Sequence, residues 1–319
     1  MSCACLIVSS AAPHFADEIT RASEMPIPIT ACATVEEALA SYTGQPVLFG
    51  DPDMLASVLP HLEEVVWVQS TWAGVTPLVE LGRRDYTLTG VKDVFGPQIS
   101  EYVLGNLLAH ELRVHERMRQ QRMGNWFTER SGVLHGKRMG IMGTGSIGAH
   151  IAGVATHFGM DVVGLSRTGS SCAKFSRVFP VAQLHEFLGG LDYLVSTLPD
   201  SAGTDRLLDA TALAKLPAHA YLVNVGRGNV IDDPALIAAL QRGELAGAAL
   251  DVFDEEPIPR ESPLWDAANL TITAHIAAIS HPSLIVPIFL ENYRRYCENQ
   301  PLNYVVDFNK GCLLYTSDA

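Results

Sequence analysis

Three glycines, Gly143, Gly145 and Gly148, carry the spacing G-x-G-x-x-G. An apolar run at 139–142 precedes them and an amphipathic segment at 149–158 follows. Between a strand and a helix, that spacing performs one task. Gly143 permits the tight turn, Gly145 lets the backbone approach a phosphate, and Gly148 lets helix and strand pack closely. Ser146 and Ile147 open the helix, whose first N–H groups lack partners within it and face an anion. The stretch reads as the pyrophosphate site of a dinucleotide.

The strand after this turn ends Val162-Val163-Gly164-Leu165-Ser166-Arg167-Thr168. An acidic residue about 20 positions past the turn would bind the ribose 2′-hydroxyl of NAD. No Asp or Glu stands there. Ser166, Arg167 and Thr168 offer a guanidinium and hydroxyls, which suit a 2′-phosphate. NADPH is therefore expected over NADH, with NAD as the lesser possibility.

Three further stretches hold chemistry-bearing residues just past apolar runs. Val223-Asn224-Val225-Gly226-Arg227-Gly228 sets an arginine between two glycines. Asp251-Val252-Phe253-Asp254-Glu255-Glu256-Pro257 supplies carboxylates, and Thr273-Ala274-His275-Ile276-Ala277-Ala278 supplies an imidazole. The carboxyl ends of an open parallel sheet form its binding crevice. Arg227, an acidic residue of the second stretch and His275 can thus converge beside a nicotinamide. A guanidinium binds a carboxylate, and an imidazole backed by a carboxylate moves a proton near neutral pH.

Apolar runs at 5–8, 27–31, 47–49, 65–68 and 86–89 alternate with helix-like stretches at 13–21, 35–42, 52–59 and 77–81, predicting a small parallel α/β unit. Residues 97–123 read as one long helix, with Pro97 in its first turn and Gly124 at its end. The rhythm then resumes with six strands, at 138–142, 161–165, 193–196, 221–224, 247–250 and 270–273. Helices lie between them, as at 233–241. That is the pattern of a doubly wound nucleotide-binding sheet. A last helix at 281–299 returns toward the first unit, and 311–319 fits no periodic element and reads as a non-native tail.

The 319 residues carry a net charge of −13. An acidic surface argues against nucleic acid or anionic membrane as a partner. No apolar run approaches spanning length. The six cysteines form no C-x-x-C pair and read as reduced thiols of a cytoplasmic protein. His110, His115 and His157 show no ligand spacing, so no metal site is expected.

The quoted motifs, G-T-G-S-I-G at 143–148, V-N-V-G-R-G at 223–228, A-L-D-V-F-D-E-E-P at 249–257 and A-H-I-A-A at 274–278, together resemble the D-isomer-specific 2-hydroxyacid dehydrogenase family. The resemblance is closest to its glyoxylate/hydroxypyruvate reductase branch and runs to about residue 307. It implies two Rossmann-like α/β domains with parallel sheets, the cofactor domain (98–281) inserted into the substrate domain (1–97 and 282–310). It implies Arg227, Glu256 and His275 as the catalytic triad, with Glu256 chosen over Glu255 because it directly precedes the proline. It places Leu198, Pro199, Val225, Gly226, Asp251 and Ala277 against the cofactor. It makes Ala73 and Gly74 backbone N–H donors to the substrate carboxylate and Trp72 a wall of the pocket, beside Arg227 and His275. It also implies a homodimer. The expected reaction is reduction of a small 2-keto acid to the D-2-hydroxy acid. The competing expectations are a reductase of larger keto acids such as phenylpyruvate and a dinucleotide-sensing, corepressor-like binding protein.

Overall fold

The computed structural model describes residues 3–308 and the backbone of 312–313. The chain divides into two compact units. One holds the residues up to Val94 and those from Ser280 on, the other Phe95–Ile279.

The first unit alternates β1 (Cys5–Val8), α1 (Ala12–Ala22), β2 (Ile29–Cys32), α2 (Val35–Ser41), β3 (Val47–Gly50), α3 (Pro52–Val58), β4 (Trp67–Ser70), α4 (Thr76–Glu80) and β5 (Thr87–Thr89). The strands lie in the order β2-β1-β3-β4-β5, all parallel. Every residue of β1, β3 and β4 is buried. Covered on both faces, such strands read as apolar runs rather than alternations. β4 begins two residues later than expected and ends on Gln69 and Ser70. The strand absorbs Gln69 because its amide donates to the Gly90 carbonyl at 2.9 Å and accepts from Thr89 Oγ1 at 2.8 Å.

The second unit opens with a correction. Residues 97–123 are two helices, α5 (Gly96–Glu111) and α6 (Val114–Arg122). Arg113 between them is left-handed, with φ of +51°. The break costs little because its backbone groups find partners. Leu112 and Arg113 N–H bond back to Leu108 and His110 carbonyls, and Arg117 Nε donates to the Leu112 carbonyl at 2.7 Å.

The unit continues through β6 (Arg138–Met142), α7 (Ser146–His157), β7 (Asp161–Ser166), β8 (Arg177–Pro180), α8 (Leu184–Leu188), β9 (Tyr193–Ser196), α9 (Ala210–Leu213), β10 (Tyr221–Asn224), α10 (Asp233–Gln241), β11 (Gly247–Leu250) and β12 (Leu270–Ile272). The sheet has seven parallel strands, in the order β12-β11-β10-β9-β6-β7-β8, one more than the six expected. The added strand, β8, lies at the sheet edge, where its terminal Pro180 is tolerated. The order reverses between β6 and β9, which is the switch point of a doubly wound sheet.

The chain then rejoins the first unit as α11 (Pro282–Cys297). Its Phe289 stacks on Phe49 of β3 at 4.7 Å and on Trp67 of β4 at 5.6 Å between ring centroids. These buried rings close the first core. β13 (Val306–Asp307) pairs antiparallel with β14 (Cys312–Leu313), so two residues expected outside any element do pair. The rest of that tail lies outside the described residues. Both units are thus parallel-sheet α/β structures.

Candidate active site

The glycine turn sits between β6 and α7, as its spacing requires. Gly143 has φ of +98°, and a Cβ on Gly148 would lie 2.0 Å from the Gly143 carbonyl oxygen. Only a residue without a side chain lets α7 begin so near β6. Gly145 differs. Its φ of −71° suits any residue, and nothing lies within 4 Å of the place its Cβ would take. The backbone therefore presents an open cradle ahead of the 12-residue helix α7. No side chain caps that helix, so the N–H groups of Ser146, Ile147 and Gly148 are left for an anion. These residues fit a dinucleotide pyrophosphate.

At the end of β7, the Ser166 hydroxyl accepts the Gly169 N–H at 3.0 Å and shapes the following turn. Arg167 and Thr168 are exposed. Thr168 shares a 2.8 Å hydrogen bond with Ser170. Among the described residues Arg167 has no partner, so its guanidinium is free for a ligand.

Beyond β9 and β10 two turns meet. Gly226 packs against the Leu198 backbone, and Val225 N–H bonds to the Ser196 carbonyl at 3.0 Å. Pro199 is exposed beside Leu198. Asn224, fully buried at the last position of β10, brackets the Arg227 turn. Its Oδ1 accepts from Gly226 N–H at 3.1 Å, and its Nδ2 donates to the Arg227 carbonyl at 2.9 Å. Asn224 is not among the site residues expected from the sequence. A polar residue ending an apolar strand just before a glycine turn is the signal that reveals such a bracket.

The Arg227 turn is pinned to the acidic loop as well. A Cβ on Gly228 would fall 1.9 Å from the Phe253 carbonyl carbon, so the two backbones nearly touch. Arg227 Nη1 donates to the Gly226 carbonyl at 2.7 Å. Burial lowers the guanidinium below its ordinary pKa, and the carboxylates of Glu256 and Asp200 pull the other way. Arg227 thus lies within electrostatic reach of Glu256.

Glu256 and His275 are in direct contact. Nδ1 of His275 lies 2.9 Å from Glu256 Oε2, while Oε1 accepts the Phe253 N–H at 2.8 Å. A carboxylate only accepts, so Nδ1 carries the proton in that bond and Nε2 is left to exchange one. The neighbouring Glu255 has no such contact with His275 among the described residues.

His275 occupies a left-handed conformation, φ +54°. Asp251, 1% exposed, is the hub of its loop. Its Oδ1 accepts from Thr273 Oγ1 at 2.5 Å and Ile276 N–H at 2.9 Å, and its Oδ2 from Ala277 N–H at 2.8 Å. Its carbonyl accepts the His275 N–H at 2.8 Å. Ala277 is buried. Asp251 was expected to face the cofactor, and three donors already engage its carboxylate.

The first unit holds the remaining expected residues. Ser70 Oγ donates to the Trp72 carbonyl at 2.8 Å and accepts its N–H at 3.0 Å, and Thr71 Oγ1 donates to the buried Asp51 carboxylate at 2.5 Å. Trp72 is 40% exposed. The N–H groups of Ala73 and Gly74 have no hydrogen-bond partner among the described residues. No group of three or more His, Cys, Asp or Glu that would hold a metal occurs among the described residues.

Residues 104–277 match the family described as D-isomer specific 2-hydroxyacid dehydrogenase, NAD binding domain. Over 216 residues the chain is 32% identical to glyoxylate/hydroxypyruvate reductase A of Klebsiella pneumoniae, covering 68% of this chain and 69% of that one. It superposes on a D-isomer specific 2-hydroxyacid dehydrogenase family protein from Aeromonas salmonicida with a TM-score of 0.92 at 37% identity, covering 97% of this chain and all of that one. An NADPH-dependent glyoxylate/hydroxypyruvate reductase from Sinorhizobium meliloti, solved with NADP and sulfate, gives a TM-score of 0.83 at 26% identity over 97% and 99% of the two chains.

Proposed function

The chain belongs to the D-isomer specific 2-hydroxyacid dehydrogenase family, and from that premise we propose that it reduces a small 2-keto acid of the glyoxylate/hydroxypyruvate type to the D-2-hydroxy acid, preferring NADPH. The observation that carries the reading is the His275–Glu256 contact, held on a loop of the nucleotide-type sheet whose glycine turn is open to an anion.

In this reading residues 95–279 are the cofactor domain and the other unit is the substrate domain. Gly143, Gly145, Ser146, Ile147 and Gly148 hold the pyrophosphate. Ser166, Arg167 and Thr168 hold the 2′-phosphate; the unpartnered guanidinium and the absence of an acidic residue there support NADP over NAD. Leu198, Pro199, Val225, Gly226, Asp251 and Ala277 line the nicotinamide half. The bound nicotinamide supplies a hydride to the keto carbon.

The protein's own part is the proton and the carboxylate. His275 releases a proton from Nε2 to the keto oxygen as the carbonyl is reduced, and in the reverse direction takes one from the alcohol. Glu256 fixes the orientation and tautomer of the ring through its contact with Nδ1. Arg227 binds the substrate carboxylate and polarises the ketone, as a guanidinium aimed at developing negative charge does. The free N–H groups of Ala73 and Gly74 are assigned to the same carboxylate. The bulk of Trp72 favours a small substrate.

A homodimer and a cytoplasmic location belong to the same reading. The apolar side chains exposed on the segment from α6 onward, Met123, Val133 and above all Trp126 at 94%, support a second copy as partner. No helix among the described residues is long and apolar enough to cross a membrane. The decisive experiment is NADPH oxidation followed at 340 nm with glyoxylate, hydroxypyruvate, pyruvate and phenylpyruvate. Turnover on the first two supports the proposal. Turnover on phenylpyruvate alone moves it to larger keto acids, and silence across all four ends it.

A further inference from the structure

The loop that carries His275 is tied to a helix far from it in sequence. Tyr102 lies on α5, and its hydroxyl is 2.7 Å from Thr273 Oγ1. Thr273 Oγ1 lies in turn 2.5 Å from Asp251 Oδ1. The direction of this chain follows from a count of protons. Asp251 receives Ile276 N–H on Oδ1 and Ala277 N–H on Oδ2, both of which only donate. Its carboxylate therefore accepts from Thr273 too, and the single hydroxyl proton of Thr273 is used there. Tyr102 must be the donor to Thr273.

The consequence is mechanical. Asp251 grips the loop two residues before His275, through Thr273, and one and two residues after it, through Ile276 and Ala277. His275 has φ of +54°, a conformation that costs about 1 kcal/mol or more for a residue with a side chain. It persists only because its neighbours over-determine it. The hydroxyl of Thr273 is the one side-chain donor in that grip, and its orientation is set by what Tyr102 gives it. The Tyr102 side chain is half-buried, which limits its replacement by solvent.

We propose that Tyr102 is a positioning residue for His275, acting through Thr273 and Asp251 to hold the imidazole where Glu256 meets it. The inference rests on His275 being the proton donor of the proposed reaction. It predicts a larger effect on the rate of the proton-coupled step than on cofactor binding, because the pyrophosphate and 2′-phosphate contacts of the proposed function lie on the glycine turn and the Arg167 turn, to which neither Tyr102 nor Thr273 belongs. Misplacing a catalytic group by about 1 Å can slow such a step by about 10²-fold.

The test uses the full-length protein with NADPH and glyoxylate or hydroxypyruvate. Tyr102→Phe and Thr273→Val remove one hydroxyl each, and Thr273→Ser restores it. The expected result is a fall in kcat of about ten-fold for Tyr102→Phe and Thr273→Val, with the NADPH dissociation constant within two-fold of wild type. Thr273→Ser should recover most of the rate. The His275 ring cross-peak in a histidine-labelled proton–carbon spectrum, identified by its loss in His275→Ala, should move in the two slow variants and return in Thr273→Ser. Wild-type kcat in both hydroxyl deletions overturns the inference. So does a slow variant whose His275 cross-peak is unmoved, since that marks a general structural role. If Tyr102→Phe does not fold, the Thr273 pair decides alone. A His275→Ala enzyme with wild-type kcat is a different outcome and removes the proposed function itself.

Discussion

Glu256 holds His275 from one oxygen while its other oxygen is held by the backbone: Oε2 lies 2.9 Å from Nδ1, and Oε1 accepts the Phe253 N–H at 2.8 Å. The carboxylate cannot swing without losing a main-chain bond. The side chains remain 49% and 35% exposed. A contact that open to water contributes little to stability, between 0 and about 1 kcal/mol even where both partners are charged. Its geometric value is the fixed tautomer, which leaves Nε2 as the exchanging nitrogen.

The first prediction follows from that division of labour. Positioned general acid–base groups contribute roughly 10²- to 10⁴-fold to rate. His275→Ala should therefore lower kcat for keto-acid reduction by at least about 10²-fold. NADPH affinity, read by fluorescence titration, should stay within two-fold, because the pyrophosphate and 2′-phosphate sites lie on other loops. A variant with unaltered kcat would withdraw the proton-donor role.

The glycine turn gives a pair of substitutions with opposite outcomes. At Gly148 a methyl group meets the Gly143 carbonyl oxygen at 2.0 Å, so α7 must move off β6. Gly148→Ala should lose about 1–3 kcal/mol of stability, seen as a lower denaturation midpoint in urea. At Gly145 the methyl group meets nothing in the protein, and φ of −71° accepts alanine. Gly145→Ala should keep the wild-type midpoint and still raise the KM for NADPH ten-fold or more, because the methyl fills space the phosphates need. A Gly145→Ala enzyme with unchanged KM would show that this cradle does not receive the cofactor.

Much of this arrangement was legible in the residues because the strands are buried on both faces and read as unbroken apolar runs. The pairing of an imidazole with the acid before Pro257 was legible only through the family resemblance, since Glu255 and Glu256 are equivalent by spacing. What escaped was held by side chains rather than by pattern. The break at Arg113 is stabilised by Arg117, four residues further on, and by nothing in the local composition. The strand β8 ends in proline and buries only Phe179 fully, so it carries no apolar run to see. Gln69 looks like a loop residue until its partners, Thr89 at the end of β5 and Gly90 just after it, are known. Tyr102 and Thr273 are 171 positions apart, and no local rule pairs them.

Arg167 carries the cofactor preference. It is exposed and unpartnered among the described residues, so removing it leaves no orphaned partner behind and tests ligand recognition alone. Hydrogen bonds to charged groups contribute about 1.5–3 kcal/mol. At about 1.4 kcal/mol per factor of ten, Arg167→Gln should lower kcat/KM for NADPH by roughly 10- to 100-fold. The value for NADH, which has no 2′-phosphate, should change less than two-fold. Equal losses with both cofactors, or none, would detach Arg167 from that phosphate.

Asp233, in the first turn of α10, links pH to stability. Burial, and then the like charges of Asp254 and Asp232, raise its pKa from 3.8 to about 6. In the unfolded chain the carboxyl ionises near its ordinary value, so between those two values the folded form holds a proton that the unfolded form has lost. Stability then falls as pH rises from about 4 to 6 and is level above that window. Two units correspond to at most about 3 kcal/mol, and partial exposure reduces this to about 1 kcal/mol. Asparagine cannot ionise and keeps the shape. Asp233→Asn should therefore flatten the change in urea midpoint between pH 4 and pH 7 by about 1 kcal/mol equivalent, with the difference from wild type appearing on the neutral side. Parallel midpoint curves for the two proteins across that range would mean that Asp233 titrates alike in the folded and unfolded chains.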